Sequence, residues 1–510
     1  MEDLFQIDNI NDKVDDLNLL SDRKVYKTVA YSTTSGGAVS GKKMMQAVVN
    51  LVVSATLSIL QFLSDVWQIH IALPRDGLVP EAGLIVNKLL FQLFGKDKFK
   101  KLEYLCQFYH KFGLFKYEGK IYIFDEHLAQ TVINKLDKVT DNYADDTPLK
   151  DSFLSSSEAM PDSDRVIESI FRKTSIYGRS SLVIRDLDIL CKNILEMNES
   201  EPINFTKLSL RLALDMAGHV LLELDLGGQE GRQDRLLETM MTILHRCYAL
   251  EEISSKSKEF AKAVDELDNL TSQILTDAVN TDDNNVKARR LVSQLYDACG
   301  YDKAKDNMKV FLMAGTESTA SVLPIMFYLL AKYPQVQKEL QTEAEQNVDN
   351  IRKDPNLPLP KIDSVIKEVL RLYPIVPFIR RQNERPVTIG NFKLKERSEI
   401  MVFLWGMHRS PYTWNRSTNF VPFRFYKNLS RKDSSNLYIP FGDGSRMCIA
   451  QHLARLEIRL TMAVLLNAFD FRLVKETQDL QFVVDWTHSV IHPDRDMFFR
   501  VVPRAMPANA

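Results

Sequence analysis

The chain has 510 residues, 45% hydrophobic, with 65 basic residues against 67 acidic ones and a formal net charge of −2. That length can bury a large core, and the near-neutral balance removes any electrostatic case for a nucleic-acid partner. Its five cysteines (Cys106, Cys191, Cys247, Cys299 and Cys448) are far apart and form no CxxC pair, which argues against a disulfide framework and against a zinc site.

In chain order, residues 1–22 are rich in Asp and match no targeting signal. Arg23–Lys43 carries Lys, Arg, Ser and Thr but no acid, the composition of a mitochondrial transit peptide, so residues 1–43 read as an N-terminal extension of that kind. Met44–Leu63 is apolar but interrupted by Gln46, Asn50, Ser54 and Gln61, and reads as an amphipathic, membrane-associating segment rather than a spanning helix. From about Gly95 the chain reads as folded. Lys96–Gly113 is helical in period, and residues 114–124 alternate around Glu118-Gly119 as a hairpin. Asp125–Leu136 is helical again, and Thr140–Asp164 is a long polar loop. Helical periodicity runs through Arg165–Cys299 with a polar break near Asp225–Arg232. Met308–Lys332 forms a long apolar helix and Lys361–Leu372 a short one. Val376–Phe403 alternates as strands, Leu460–Phe469 is helical, and Phe482–Val502 is strand-like. The expected class is mainly α with a small β portion, in one large domain over residues 95–504.

The stretch from Tyr438 to Ala450 precedes a helical pattern. Its glycines permit tight turns and close backbone approach. A cysteine near a helix start lies close to unsatisfied N–H groups and the positive dipole end, which is expected to lower the thiol pKa of Cys448. Phe441, Gly444, Arg446, Cys448 and Ala450, followed by Ala454 and Glu457, resemble the cytochrome P450 pattern Phe-x-x-Gly-x-Arg-x-Cys-x-Gly, then x-x-x-Ala-x-x-Glu, with Ala450 in place of the usual Gly. The resemblance implies a single-domain cytochrome P450 fold around haem b. Cys448 is then the axial ligand to the iron, Arg446 a propionate contact, and Phe441 a neighbour of the thiolate.

Within the long apolar helix lie Ala314-Gly315-Thr316-Glu317-Ser318-Thr319. A buried acid and buried hydroxyls need a reason, and proton delivery supplies one. Gly315 removes a side chain where a ligand could approach, and a hydroxyl here can bond its own helix carbonyl. The segment resembles the family's Ala/Gly-Gly-x-Asp/Glu-Thr-Thr signature. Ala314 and Gly315 would border the haem. Glu317 takes the acid position, Ser318 the first Thr and Thr319 the second, the three expected catalytic residues. Pro324 predicts a kink farther along this helix.

Glu368 and Arg371 stand three apart on one helix, and Arg424 lies in the segment Phe420–Phe425. They resemble the family's structural triad. Arg381 falls where the family often contacts a haem propionate. The Trp-x-x-x-Arg pair usual in the first third is missing, and Arg165, Arg172 and Arg179 are open substitutes for its cation.

The resemblance implies a monooxygenase that inserts one atom of O2 into a lipophilic small molecule, steroid- or sterol-like in the mitochondrial branch. In that branch the electron donor is a [2Fe-2S] ferredoxin, which Lys367 with Arg455 or Arg459 would meet as a basic patch, and the location is the mitochondrial inner membrane. The alternatives are an NADPH-dependent flavoprotein reductase at the endoplasmic reticulum membrane and, for the activity, a haem-thiolate isomerase or a non-catalytic haem-binding protein.

Overall fold

The computed structural model describes residues 77–504, apart from residues 83, 96, 137–148, 150–151, 155–160, 248–257, 281–290, 427–437, 479, 481 and 485–489. The transit-like extension and the 44–63 segment lie outside the described residues. The chain divides into two compact units, Met1–Phe112 and Gly113–Ala510.

In the first unit, α1 (Leu84–Phe94) is followed by α2 (Lys98–Phe108). Asp97 caps α2 by accepting from the Lys100 N–H, which sets its start. Phe99, Leu102 and Leu105 bury one face of it.

The second unit opens with β1 (Leu114–Tyr117) and β2 (Lys120–Ile123), paired antiparallel. Glu118 and Gly119 turn at φ 48° and 82°, the double left-handed conformation of a tight hairpin, as the sequence predicts. Helix α3 (Glu126–Lys135) is capped by Asp125. Then come α4 (Pro161–Phe171), α5 (Lys173–Gly178), α6 (Ser180–Glu196) and the short strand β3 (Ile203–Asn204). Helix α7 (Phe205–Ala217) runs into a π-helical turn at Gly218–Leu222, and α8 (Asp234–Cys247), α9 (Lys258–Val279) and α10 (Leu291–Cys299) follow. The break between α7 and α8 closes on Asp215, whose carboxylate accepts from the N–H groups of Gly228 and Gln229 at 2.6 and 2.9 Å.

The 32-residue helix α11 (Tyr301–Lys332) is the axis of this unit and runs on through Pro324. It is followed by α12 (Pro334–Lys353) and α13 (Pro360–Leu372). Strands β4 (Phe378–Gln382), β5 (Val387–Ile389), β6 (Phe392–Leu394) and β7 (Glu399–Phe403) lead to α14 (Leu404–His408). Helix α15 (Gln451–Ala468) then precedes β8 (Phe469–Leu473), β9 (Phe482–Val484), β10 (Ile491–Pro493) and β11 (Phe498–Pro503). The main sheet has the order β1-β2-β7-β4, with β2 and β7 parallel and β4 antiparallel to β7. Helices dominate, so the class is mainly α with a small β portion. One expected boundary moves: the polar loop drawn to Asp164 ends where Pro161 opens α4, a favoured place for proline. In the core, Phe205 on α7 meets Phe327 on α11 at 5.1 Å, and Phe327 meets Phe471 on β8 at 4.2 Å. These rings fasten α7 and α11 to the β8–β11 sheet.

The predicted structural triad is assembled. Glu368 and Arg371 form a two-pronged pair at 2.9 Å, and the Arg424 Nε donates to Glu368 at 3.0 Å. Glu368 and Arg371 are fully buried. Arg371 also donates to the carbonyls of His408, Ser417 and Asn419, and Arg424 to those of Asn415 and Arg416. Glu368→Ala would leave two buried guanidiniums without their counter-charge. It is expected to cost about 3–5 kcal/mol of stability, read from the urea midpoint; a loss under about 1 kcal/mol would contradict this reading of the triad.

Candidate active site

The cysteine loop is built by its own backbone. The Cys448 N–H donates to the Phe441 carbonyl at 2.8 Å, and Gly442 and Gly444 take φ of 77° and 72°, conformations that favour glycine. A side chain at Gly444 would strike Asn134 at the end of α3, so this glycine is also needed for close approach. Ala450 is the N-cap of α15, and Arg455 lies 4.9 Å over the Phe441 ring. The loop is held from behind, since the Ile439 N–H donates at 3.2 Å to the ring of His408, the same residue whose carbonyl Arg371 grips.

Phe441, Gly444, Arg446, Cys448 and Ala450 line one cavity of about 880 Å3. That is in the upper part of the roughly 300–1,000 Å3 range of small-molecule sites. The expected low thiol pKa is not found. Helix α15 begins three residues after Cys448, and although the residue is exposed to the cavity, the surrounding protein desolvates the thiol and pushes it up. The Ala450 N–H and the Arg455 charge pull it down without outweighing that effect. Metal ligation deprotonates a thiol outright, so the raised pKa is compatible with a ligand role.

Ala314, Gly315, Glu317, Ser318 and Thr319 border the same cavity from α11. The Ser318 hydroxyl donates to the Ala314 carbonyl at 2.9 Å, the local bond anticipated from the sequence. Glu317 has its carboxyl pushed up to about 7 by desolvation. Thr319 is turned elsewhere: its hydroxyl donates at 2.8 Å to Glu457 of α15, whose carboxyl burial pushes up to about 8. Gly315 also differs from expectation. A Cβ there would point at Ala217 and Leu221, at 3.4 and 3.7 Å, so its missing side chain faces the neighbouring helical segment and not the cavity.

Among the cations, Arg381 on β4 is 4% exposed, borders the cavity and donates to the Arg380 carbonyl. Of the three arginines left open by the sequence, Arg172 borders the cavity together with Lys173. Arg179 instead bonds the Val220 carbonyl and pairs with Glu223. Arg459 is not part of an exposed basic patch, since it is buried against Asp363 and the carbonyls of Pro355 and Leu357. Lys367 and Arg455 are exposed.

Haem b is a flat apolar ring with an axial metal position and two carboxylates. The cavity offers one thiol, a largely apolar wall including Phe311, Val322 and Ile375, and cations at Arg172, Arg381 and Arg446, so the donor set fits that group. Among the described residues, no cluster of three His, Cys, Asp or Glu side chains could hold a bare metal ion.

Comparison with known proteins agrees with this geometry. The cytochrome P450 family model matches residues 83–498. Similar proteins include cytochrome P450 3A40 of Oryzias latipes, 32% identical over 203 residues, which are 39% of this chain and 40% of that protein. Cytochrome P450 3A9 of Rattus norvegicus is 30% identical over 203 residues, 39% of this chain and 40% of that protein. Cytochrome P450 3A28 of Bos taurus is 32% identical over 203 residues, 39% of each chain. The chain thus spans about 40% of the length of the curated relatives it matches.

Two outcomes follow from the α11 wall. The Glu317 carboxyl titrates near 7 in the fold against an ordinary 4.5, so the unfolded chain loses that proton first. The folded state therefore loses stability as pH rises from about 4.5 to 7, and bears the whole cost above that window. Glu317→Gln is expected to gain in urea midpoint over the unsubstituted protein between pH 4.5 and 8; equal shifts at both pH values would refute the raised pKa. Gly315→Ala has room for its methyl and improves helix propensity. It should stabilise the fold by up to about 1 kcal/mol in the same assay, whereas a loss would place the glycine under a closer constraint.

Proposed function

The chain belongs to the cytochrome P450 family, and on that premise we propose that it is a haem-thiolate monooxygenase acting on a lipophilic small molecule. The observation carrying this reading is that Cys448 and the acid–hydroxyl pair Glu317 and Ser318 border one cavity with largely apolar walls. Haem held by a thiolate supplies O2 activation, one oxygen atom passing to the substrate and the other leaving as water. Cys448 would hold the iron through its sulfur, and Arg172, Arg381 and Arg446 would pair with the two carboxylates. Glu317, with a pKa near the working pH, holds and releases a proton beside Ser318, which can turn from the Ala314 carbonyl to pass it inward. The apolar wall excludes bulk water and favours a lipophilic substrate, of which a steroid or sterol is one kind.

Retention of Glu317 and Ser318 disfavours the isomerase and the non-catalytic alternatives, because neither needs delivered protons. The 3A-named relatives lend nothing to the mitochondrial branch. The donor we favour is therefore an NADPH-dependent flavoprotein reductase at the endoplasmic reticulum membrane, in place of a ferredoxin at the mitochondrial inner membrane.

The test is the absorbance of the reduced protein under CO, beside Cys448→Ala. A strongly red-shifted Soret band, lost in the variant, is expected; a band that survives the substitution would refute thiolate ligation. NADPH-dependent O2 uptake with the flavoprotein reductase, greater than with a ferredoxin system, is the expected sequel, and the reverse order would restore the mitochondrial reading.

A further inference from the structure

Phe153 and Leu154 border the cavity from a segment that belongs to no helix or strand. That segment is fastened to the core. Leu149 is fully buried, and Ser152, also buried, closes a turn on it: the Ser152 N–H and hydroxyl donate to the Leu149 carbonyl at 3.1 and 2.7 Å. One residue on, the Phe153 N–H donates at 2.9 Å to Oδ1 of Asn307 on α11, 154 positions along the chain. Asn307 is fully buried and does not itself border the cavity.

A second grip acts on the same residue. The Phe153 ring lies 6.1 Å from the ring of Phe311, and Phe311 meets Phe171 of α4 edge-on at 5.3 Å. All three rings border the cavity. Asn307 and Phe311 stand one turn apart on the same face of α11. Phe153 is therefore held by its backbone at the first and by its ring at the second. An asparagine buried in a helix is a poorer helix former than leucine, and its amide costs free energy unless it is bonded. What Asn307 supplies at this position is an acceptor for a backbone N–H that no helix or strand serves.

We propose that Asn307 is a positioning residue for substrate selection. By accepting the Phe153 N–H, it keeps that ring against Phe311 as a fixed part of the cavity wall and so limits the size of ligand the cavity takes. A residue outside regular structure has no ladder of bonds to fix its backbone, and its side chain would yield to a bulky ligand. Tied to α11 it does not yield, and a wall set in advance rejects what does not fit it. A small ligand stops short of the wall, so its binding does not depend on Asn307. The substrate clause rests on the reading of the cavity as a site for a lipophilic small molecule; the clamp itself does not.

The experiment titrates the full-length, haem-loaded protein with imidazoles carrying methyl, phenyl or diphenylmethyl on one nitrogen. The other nitrogen binds the iron and shifts the Soret band, which gives dissociation constants. Asn307→Leu, similar in size but without the acceptor, is expected to lower the ratio of the diphenylmethyl constant to the methyl constant by about fivefold or more. Phe153→Ala is expected to do the same, and the double variant no more than either alone. Asn307→Asp keeps an acceptor in the same place and is expected to keep the original ratio, whereas loss of a merely structural residue would shift all three ligands together. An unchanged ratio, a uniform shift across the series or additive effects in the double variant overturns the proposal. Should Asn307→Leu fail to fold, Asn307→Ala takes its place. Absence of the thiolate CO band from the unsubstituted protein would sink the monooxygenase reading, and amide hydrogen exchange would then decide the clamp. Asn307→Leu is expected to speed exchange at the Phe153 N–H by about tenfold or more, and unaltered exchange overturns it.

Discussion

The structure around the cysteine loop depends on finding donors for backbone carbonyls that no helix or strand serves. Between α14 and α15 the described chain has little regular structure, yet it lies against the core. Buried carbonyls without partners are costly. Arg371 and Arg424 meet that demand, donating to the carbonyls of His408, Asn415, Arg416, Ser417 and Asn419. Glu368 makes their burial tolerable, because its two oxygens neutralise the guanidiniums and accept the Val421 N–H as well. Trp414, wholly buried, lies 5.2 Å from Arg371 and 5.9 Å from Arg424 and closes the apolar side of the cluster. The same frame reaches the cysteine through the His408 ring and the Ile439 N–H, so an ion cluster outside the cavity fixes where the thiol stands.

Helix α11 solves a different problem, because it must be core on one side and cavity wall on the other. Most of it is apolar and buried, and its aromatic contacts to α7 and β8 hold it rigidly. The polar groups it carries are handled one by one. Ser318 bonds back to its own helix, Thr319 bonds across to α15, and Glu317 is placed where its neutral form is stable near pH 7. A methyl at Gly315 would meet Ala217 and Leu221 at ordinary contact distance. Local composition on this helix therefore serves packing and chemistry at adjacent residues.

This division explains which features were legible in the sequence. The cysteine loop, the Glu368–Arg371 pair and the Glu317-Ser318 pair are encoded at fixed short spacing, so their types and positions could be read directly. Hairpin and cap positions at Glu118-Gly119 and Asp125 were legible for the same local reason. What could not be read depends on distant segments meeting. The direction of the missing Gly315 side chain, the turning of Thr319 to a residue 138 positions away, and the burial of Arg459 against Asp363 are tertiary facts. That Arg172 borders the cavity while Arg179 turns to Val220 and Glu223 follows from the path of α4 and α5, which no spacing rule supplies. The dipole argument for a low thiol pKa leaves out desolvation, which at Cys448 is the larger effect.

Desolvation is also what makes the acids here chemically useful. An exposed carboxylate releases its proton near pH 4 and cannot act as a donor at neutrality. Glu317 and Glu457 stand near 7 and 8 because each sits in apolar surroundings with no cation close enough to reverse the effect. Glu368, by contrast, lies between Arg371 and Arg424 and pairs with both guanidiniums. One chain thus carries glutamates of two kinds, one paired with guanidiniums to hold the frame and the other raised by desolvation so that it can hold a proton near neutrality, and their immediate neighbours decide which is which.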